Sequence, residues 1–354
     1  MSNIIHIYIY INMDNKKKYG QFMTTNSSYI LKDLKIPDNI DTIIEPFCGN
    51  GNLINNLKDK YKIECYDIEP KKDYIIKKDC LNDPPNYENK FIITNPPYLA
   101  RNKSIDKNIF DKYNVNDLYK CFIISIINNN PLGGIIILPL NFFSSIRICD
   151  INIRKKFLNK FNVIKLNIYN EQVFDDTTYT ICSFLFLLKN NDDINTDIYI
   201  YPENKHINVK FTEDNNYIIG GEIYNLKFSN KYKITRLTSK NEKYKNTNIL
   251  LKCIDDNINN KIKLSFVDDK DVYIDKTERQ SARTYASFII EPVIDEIKQK
   301  KLVNDFNEYL NLYRDKYDSL FLTNYRESNN IARKRISFSL VFKITNYIVQ
   351  KIIN

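Results

Sequence analysis

Histidine and tryptophan are almost missing from this chain: its 354 residues include two His, at positions 6 and 206, and no Trp. A His-rich metal centre or a Ser–His–Asp triad is therefore not expected. Paired cysteines are missing too. The seven Cys stand at 48, 65, 80, 121, 149, 182 and 253 with no Cys-x-x-Cys among them, which argues against a zinc ribbon and a redox dithiol. An odd number scattered through apolar runs reads as buried, reduced thiols in a cytoplasmic or nuclear setting. Long apolar runs are also lacking, whereas a membrane span needs about 18 or more such residues. The stretch Ile4-Ile5-His6-Ile7-Tyr8-Ile9-Tyr10-Ile11 is too short, and it lacks a basic leader and a small-residue cleavage site. The expectation is a soluble, unsecreted protein in which residues 1–17 are a leader, translation starting at either Met1 or Met13.

What is present suits a packed protein: 43% hydrophobic and 27% charged residues, a length suggesting roughly two domains. Lys and Arg number 52 against 43 Asp and Glu, a net charge of +9. That balance suits a polyanionic partner such as nucleic acid, and equally suits the Lys, Asn and Ile bias of an AT-rich genome.

Residues 41–140 alternate strand and helix patterns. Asp41-Thr42-Ile43-Ile44, Lys62–Asp67, Phe91–Thr94 and Ile135–Leu138 read as strands. Leu53, Ile54 and Leu57 recur at helical spacing, and Leu118–Ile127 is an apolar helix broken by Pro131 and Gly133-Gly134. Val163–Ile168 and Thr180–Leu188 are again strand-like. This rhythm predicts an α/β fold with a doubly wound, mostly parallel, Rossmann-like sheet. The polar run 189–195 reads as a linker, which places a domain boundary near 190. Beyond it, short strands to about 275 and helical patterns near 291–318 and 336–353 suggest a smaller α+β domain.

Four features fall in order along the first half. Glu45-Pro46-Phe47-Cys48-Gly49-Asn50-Gly51 joins a strand to the next segment, its glycines permitting a tight turn and close backbone approach to a ligand. Asp67 ends the next strand, where an acid about 20 residues after such a turn can accept from a ribose diol. Asp79, in Lys78-Asp79-Cys80-Leu81, is placed to accept from an exocyclic amine. Singly, each of these reads more readily as a plain turn. Thr94-Asn95-Pro96-Pro97-Tyr98 is more specific: two prolines after a buried strand remove N–H donors and fix an extended turn. That turn presents the Asn95 amide oxygen and the Pro96 carbonyl as acceptors beside an aromatic ring. Two acceptors gripping an exocyclic amine would turn its lone pair toward an electrophile, with little need of a strong base.

These motifs resemble those of S-adenosylmethionine-dependent DNA adenine N6-methyltransferases, of the order in which target recognition follows catalysis, as in type II restriction–modification systems. Lys18-Tyr19-Gly20-Gln21-Phe22-Met23-Thr24-Thr25 resembles the family's opening motif, with Thr24-Thr25 where the family has Thr-Pro. Leu118–Phe122, Gly133–Pro139 and Glu171-Gln172-Val173-Phe174 resemble later motifs, so the likeness covers about residues 18–190. It implies a catalytic set of Asn95, Pro96, Pro97, Tyr98 and Phe174, with Tyr98 stacked on a flipped adenine. Phe174 would lie edge-on to that base, or would instead be a core ring. The implied cofactor set is Thr24, Glu45, Phe47, Gly49, Gly51, Asp67, Ile68, Asp79, Cys80 and Asn95, holding S-adenosyl-L-methionine. No metal is expected.

In residues 191–354 the basic positions Arg279, Arg283, Arg326, Arg333, Lys334 and Arg335 interleave with Tyr285, Tyr325 and Phe338. Read alone they are a solvated face. Beside DNA chemistry they become candidate contacts to double-stranded DNA. A cognate restriction endonuclease is the implied functional partner. Release-factor glutamine methyltransferases share the Asn-Pro-Pro-Tyr tetrad but carry their extra domain before the cofactor loop. RNA N-methyltransferases and a non-catalytic DNA-binding protein remain alternatives. No Cys follows a Pro, which excludes cytosine C5 chemistry.

Overall fold

A computed structural model describes residues 20, 24, 26–174, 179–190, 195–228, 231–255, 261–276, 284–324 and 333–353. The expected leader 1–17 lies outside them. Two compact units emerge, one of residues up to Phe142 with Arg147–Lys210, the other of Phe143–Ile146 with Phe211 onward.

The first unit is built on one sheet. Its elements are α1 (Ser27–Ile30), β1 (Thr42–Glu45), β2 (Lys62–Asp67), β3 (Ile76–Lys77), β4 (Phe91–Thr94), α2 (Asn108–Tyr113), α3 (Leu118–Asn128), β5 (Gly133–Pro139), α4 (Asn141–Ser144, shared between the units), α5 (Ile148–Lys160), β6 (Phe161–Tyr169), β7 (Ile181–Leu188), β8 (Thr196–Tyr201) and β9 (Lys205–Val209). The nine strands run in the order β3-β2-β1-β4-β5-β7-β6-β8-β9. β1 to β5 are mutually parallel, and β7 is antiparallel to both β5 and β6. Strand order therefore reverses between β1 and β4, which leaves a crevice at the carboxyl ends of those two strands. Because β7 runs backward, the connection from Tyr169 to Ile181 returns to that same edge.

β4 and β5 are buried along their whole length, as apolar strands covered on both faces should be. On one face, Phe157 of α5 packs its ring 5.2 Å from Phe186 and 6.0 Å from Phe184. On the other, the Tyr169 hydroxyl donates to Ile30 O at 2.7 Å and the Asn167 amide donates to Lys32 O at 2.8 Å. The mostly parallel, doubly covered sheet predicted from the sequence is the one observed.

Three details differ. The segment of Leu53, Ile54 and Leu57 holds only a 3₁₀ turn at Asn55–Leu57, since Asn52, Asn55 and Asn56 favour turns over a helix interior. α5 has no counterpart among the sequence expectations. The sheet also continues past residue 190: β8 pairs in parallel with β6, so the run 189–195 connects two strands of one sheet and the compact unit ends at Lys210.

The second unit is α+β. β10 (Lys233–Arg236), β11 (Ile249–Lys252), β13 (Lys263–Phe266) and β14 (Tyr285–Glu291) form an antiparallel sheet, and β12 (Ile254–Asp255), β15 (Thr323–Asn324) and β16 (Lys334–Arg335) a smaller one. Helices α6 (Glu296–Tyr317) and α7 (Phe338–Ile353) match the expected helical patterns. Asn307 of α6 exchanges two 2.9 Å hydrogen bonds with the Leu264 backbone, fixing helix to sheet. No helix among the described residues is long and apolar enough to cross a membrane.

Candidate active site

Two loops leave adjacent strands at the reversal point. The first follows β1. Gly49 and Gly51 take positive φ of 51° and 75°, which side chains with a Cβ rarely adopt, and the Gly51 N–H closes the turn onto Cys48 O at 2.7 Å. The Tyr74 hydroxyl crosses so near Gly51 that a Cβ there would sit 2.2 Å from it. Asp67, at the end of β2, stitches the loop shut: its two oxygens accept from the Gly49 N–H at 2.7 Å and the Glu69 N–H at 2.8 Å. Burial raises its carboxyl above the usual range, and those two N–H donors oppose the shift.

Glu45 ends β1. It is 1% exposed, and among the described residues no well-formed hydrogen bond reaches either carboxylate oxygen. Burial pushes its pKa well up, offset in part by the neighbouring Thr94 hydroxyl and Phe47 amide. A buried carboxylate with only these two weakly placed donors nearby is costly, and a cationic group beside it would lower that cost.

The second loop follows β4. Asn95 and Tyr98 are both buried. The Asn95 amide nitrogen donates to Thr24 Oγ1 at 3.1 Å, while its Oδ1 accepts from the Tyr98 hydroxyl. That hydroxyl also lies 2.7 Å from the Ile137 carbonyl of β5. One phenol proton thus faces two acceptors and can serve only one at a time. Burial holds the phenol far above its ordinary pKa, so it stays a donor. The Tyr98 ring meets Tyr119 edge-on at 6.3 Å.

Behind the tetrad, the chain is zipped to the start of α3. Arg101 N donates to Asn116 O at 3.0 Å, Leu118 N donates to Leu99 O at 3.1 Å, and Ala100 bridges Asp117. Burial raises Asp117 to about 6, the Lys120 ammonium being the largest opposing influence. Lys120 in turn pairs with buried Asp150 and donates to Asn116 Oδ1 at 2.7 Å.

Thr24, Glu45, Gly49, Gly51, Asp67, Asn95 and Tyr98 therefore gather around the ends of β1, β2 and β4. Others stand differently. Phe47 packs edge-on against Phe122 at 5.2 Å. Ile68 is half-buried beside Asp67. Asp79 turns onto its own loop, accepting from Leu81 N and Asn82 N at 3.1 Å and from the Asn82 amide at 2.7 Å. Burial lifts the Cys80 thiol to about 12. Phe174 is buried in the β6–β7 connection at the same sheet edge, 3% exposed.

No protein-family profile and no curated protein matches this sequence. Among solved structures, similarity is found to the modification subunit of a putative type I restriction enzyme from Vibrio vulnificus YJ016, with 15% identity, a TM-score of 0.41, and coverage of 58% of this chain and 53% of that one. A type I restriction–modification methyltransferase subunit from Streptococcus thermophilus has 15% identity, a TM-score of 0.40 and coverage of 56% and 53%. A putative class I S-adenosylmethionine-dependent methyltransferase from Listeria monocytogenes has 16% identity, a TM-score of 0.39 and coverage of 50% and 65%. The chain thus spans about half the length of the first two.

Of the candidate basic residues, Arg279, Arg283 and Arg326 lie outside the described residues. Arg333 and Arg335 are half-buried. Lys334 is 5% exposed, with its ammonium 3.5 Å from Asp318. Strand alternation turns Lys334 inward between its two neighbours. Sequence reasoning passed over Asn52, whose amide donates to Thr24 O at 2.8 Å, along with Asp117 and the Ile137 carbonyl. Asn52 had no signal in an Asn-rich stretch. Among the described residues no group of three or more His, Cys, Asp or Glu is placed to hold a metal ion.

Proposed function

We propose that this chain transfers a methyl group from S-adenosyl-L-methionine to the N6 amine of adenine in duplex DNA, as the modification enzyme of a restriction–modification system. The observation that carries this reading is the pairing of two loops at adjacent strand ends: a glycine turn stitched to Asp67, and a turn holding the Asn95 amide oxygen beside Tyr98.

The residues present fit the cofactor. S-adenosylmethionine carries an ammonium and a sulfonium, and Glu45 offers a buried carboxylate that no well-formed hydrogen bond among the described residues reaches. Each Asp67 oxygen holds one loop N–H and keeps a lone pair for a ribose diol. When bound, the cofactor supplies an electrophilic sulfonium methyl.

The rest is the work of the chain. A target base must leave its duplex to reach a site at a sheet edge. There Asn95 Oδ1 and the Pro96 carbonyl accept the two N–H bonds of the exocyclic amine, which directs the nitrogen lone pair outward. When the amine takes Asn95 Oδ1, the Tyr98 phenol can turn its proton to the Ile137 carbonyl, so no buried polar group is stranded. The phenol remains protonated, which makes it a positioning group and not a base. Positioning and preorganised dipoles account for the rate.

The test is incubation of the chain with methyl-labelled S-adenosylmethionine and separate DNA, RNA and protein pools. Label is expected in duplex DNA as N6-methyladenine at one sequence context. Label in RNA or protein, with none in DNA, would overturn the proposal.

A further inference from the structure

Thr24 belongs to the stretch before α1, and the likeness of that stretch to a cofactor-binding motif implies that it touches the methionine moiety. Its surroundings suggest another task. Thr24 is 6% exposed, and its polar atoms face protein groups on both loops of the site. Its hydroxyl oxygen accepts from the Asn95 amide nitrogen at 3.1 Å, and its carbonyl accepts from the Asn52 amide at 2.8 Å. Four residues earlier, the Gly20 carbonyl accepts from the Tyr98 N–H at 2.9 Å. Gly20 has a φ of +64°, and a Cβ there would fall 2.7 Å from the Tyr98 carbonyl oxygen, so backbone meets backbone at this point. The stretch before α1 thus reaches Asn52 after β1 and both Asn95 and Tyr98 after β4.

We infer that Thr24 is a positioning residue for methyl transfer: through its hydroxyl it holds the Asn95 amide so that Oδ1 faces the acceptor amine. The inference rests on the function proposed above and deepens it. The Asn95 amide pivots about its terminal torsion, which is soft and roughly two-fold. An NH2 turned toward the substrate would set donor against donor. Thr24 holds the nitrogen end and the Tyr98 hydroxyl engages the oxygen end, so the acceptor is aimed before the base arrives. A role of this kind appears in the rate of transfer and leaves cofactor affinity unchanged.

The experiment compares Thr24→Val, which keeps shape and loses the hydroxyl, with Thr24→Ser, which keeps the hydroxyl. Calorimetric binding of S-adenosylmethionine is measured beside single-turnover methylation of DNA and thermal melting. For Thr24→Val the expected result is a transfer rate down about 100-fold, in line with small misplacements of reacting groups. Its cofactor Kd should match the wild type and its Tm should fall by only a few degrees, the cost of one buried hydrogen bond, and Thr24→Ser should recover most of the rate. A tenfold weaker Kd with the transfer rate retained would overturn the inference and make Thr24 a cofactor ligand. Equal losses in Val and Ser would also overturn it, because packing would then be the cause. Failure of the underlying function shows in the wild type itself, as an absence of label in DNA, and that result overturns both.

Discussion

The rim of the first unit and the interior of the second treat buried charge in opposite ways. In the second unit, Arg314 is held 3.5 Å from Asp255 and donates to Ile262 O at 2.9 Å, and Lys334 lies 3.5 Å from Asp318. In the first unit, Lys120 is likewise paired with Asp150 behind the tetrad. At the rim, by contrast, Glu45 is fully buried, and among the described residues no well-formed hydrogen bond reaches its oxygens. A folding chain gains nothing from such a group, because its desolvation is not repaid. Matched charges hold the architecture together, whereas the poorly matched Glu45 is the group that the proposed function assigns to a cationic ligand.

The comparison can be broken at several points. Asn95→Ala should lower single-turnover transfer about a thousandfold, the usual loss for a preorganised polar group at the reacting atoms; a loss under about tenfold would remove Asn95 from them. Arg314→Met leaves Asp255 buried without its cation and should cost about 3 kcal/mol or more in urea unfolding. A near-neutral result would mean that water enters the second unit freely.

Asp117→Asn tests the sign of an acid whose pKa is raised. The folded state binds this proton more tightly than the unfolded state, so its contribution to stability falls as pH climbs from near 4 to about 6. The Asn variant should be more stable than the wild type above about pH 6, by on the order of 2 kcal/mol, with the gap closing toward pH 4. A gap independent of pH would show that the carboxyl is not the cause.

Glu45→Gln should likewise stabilise the cofactor-free protein at neutral pH, by about 1–2 kcal/mol, and weaken S-adenosylmethionine binding in calorimetry. If stability falls instead, the Thr94 hydroxyl and the Phe47 amide already satisfy the carboxylate. The smallest effect is at Arg101, whose exposed pair with Asp111 should yield less than about 0.5 kcal/mol on Arg101→Ala.

How much was legible in the sequence followed from how local each determinant is. The glycine turn, Asp67 and the Asn95–Tyr98 turn could be read because Gly and Pro act on their own backbone, whatever surrounds them. The parallel core strands could be read from unbroken apolar runs. α5 could not: Ile148 is exposed while Asp150 and Arg154 are buried, which blurs the apolar face formed by Ile153, Phe157 and Leu158. The polar run at 189–195 resembled a linker because nothing local shows that β8 will rejoin the sheet beside β6. Lys334, between two arginines, looked like surface until strand pairing turned it inward. The bond between Thr24 and Asn95 joins residues 71 positions apart, beyond the reach of any pattern in the sequence.

The backward run of β7 has a consequence of another kind. A parallel neighbour would have to be reached by a long crossover, whereas an antiparallel one needs only a hairpin. The connection that carries Phe174 leaves and re-enters the sheet at the same edge as the loops after β1 and β4. That connection can therefore lengthen, shorten or change composition over generations without altering the register of a single core strand. One reversed strand makes that connection a replaceable part.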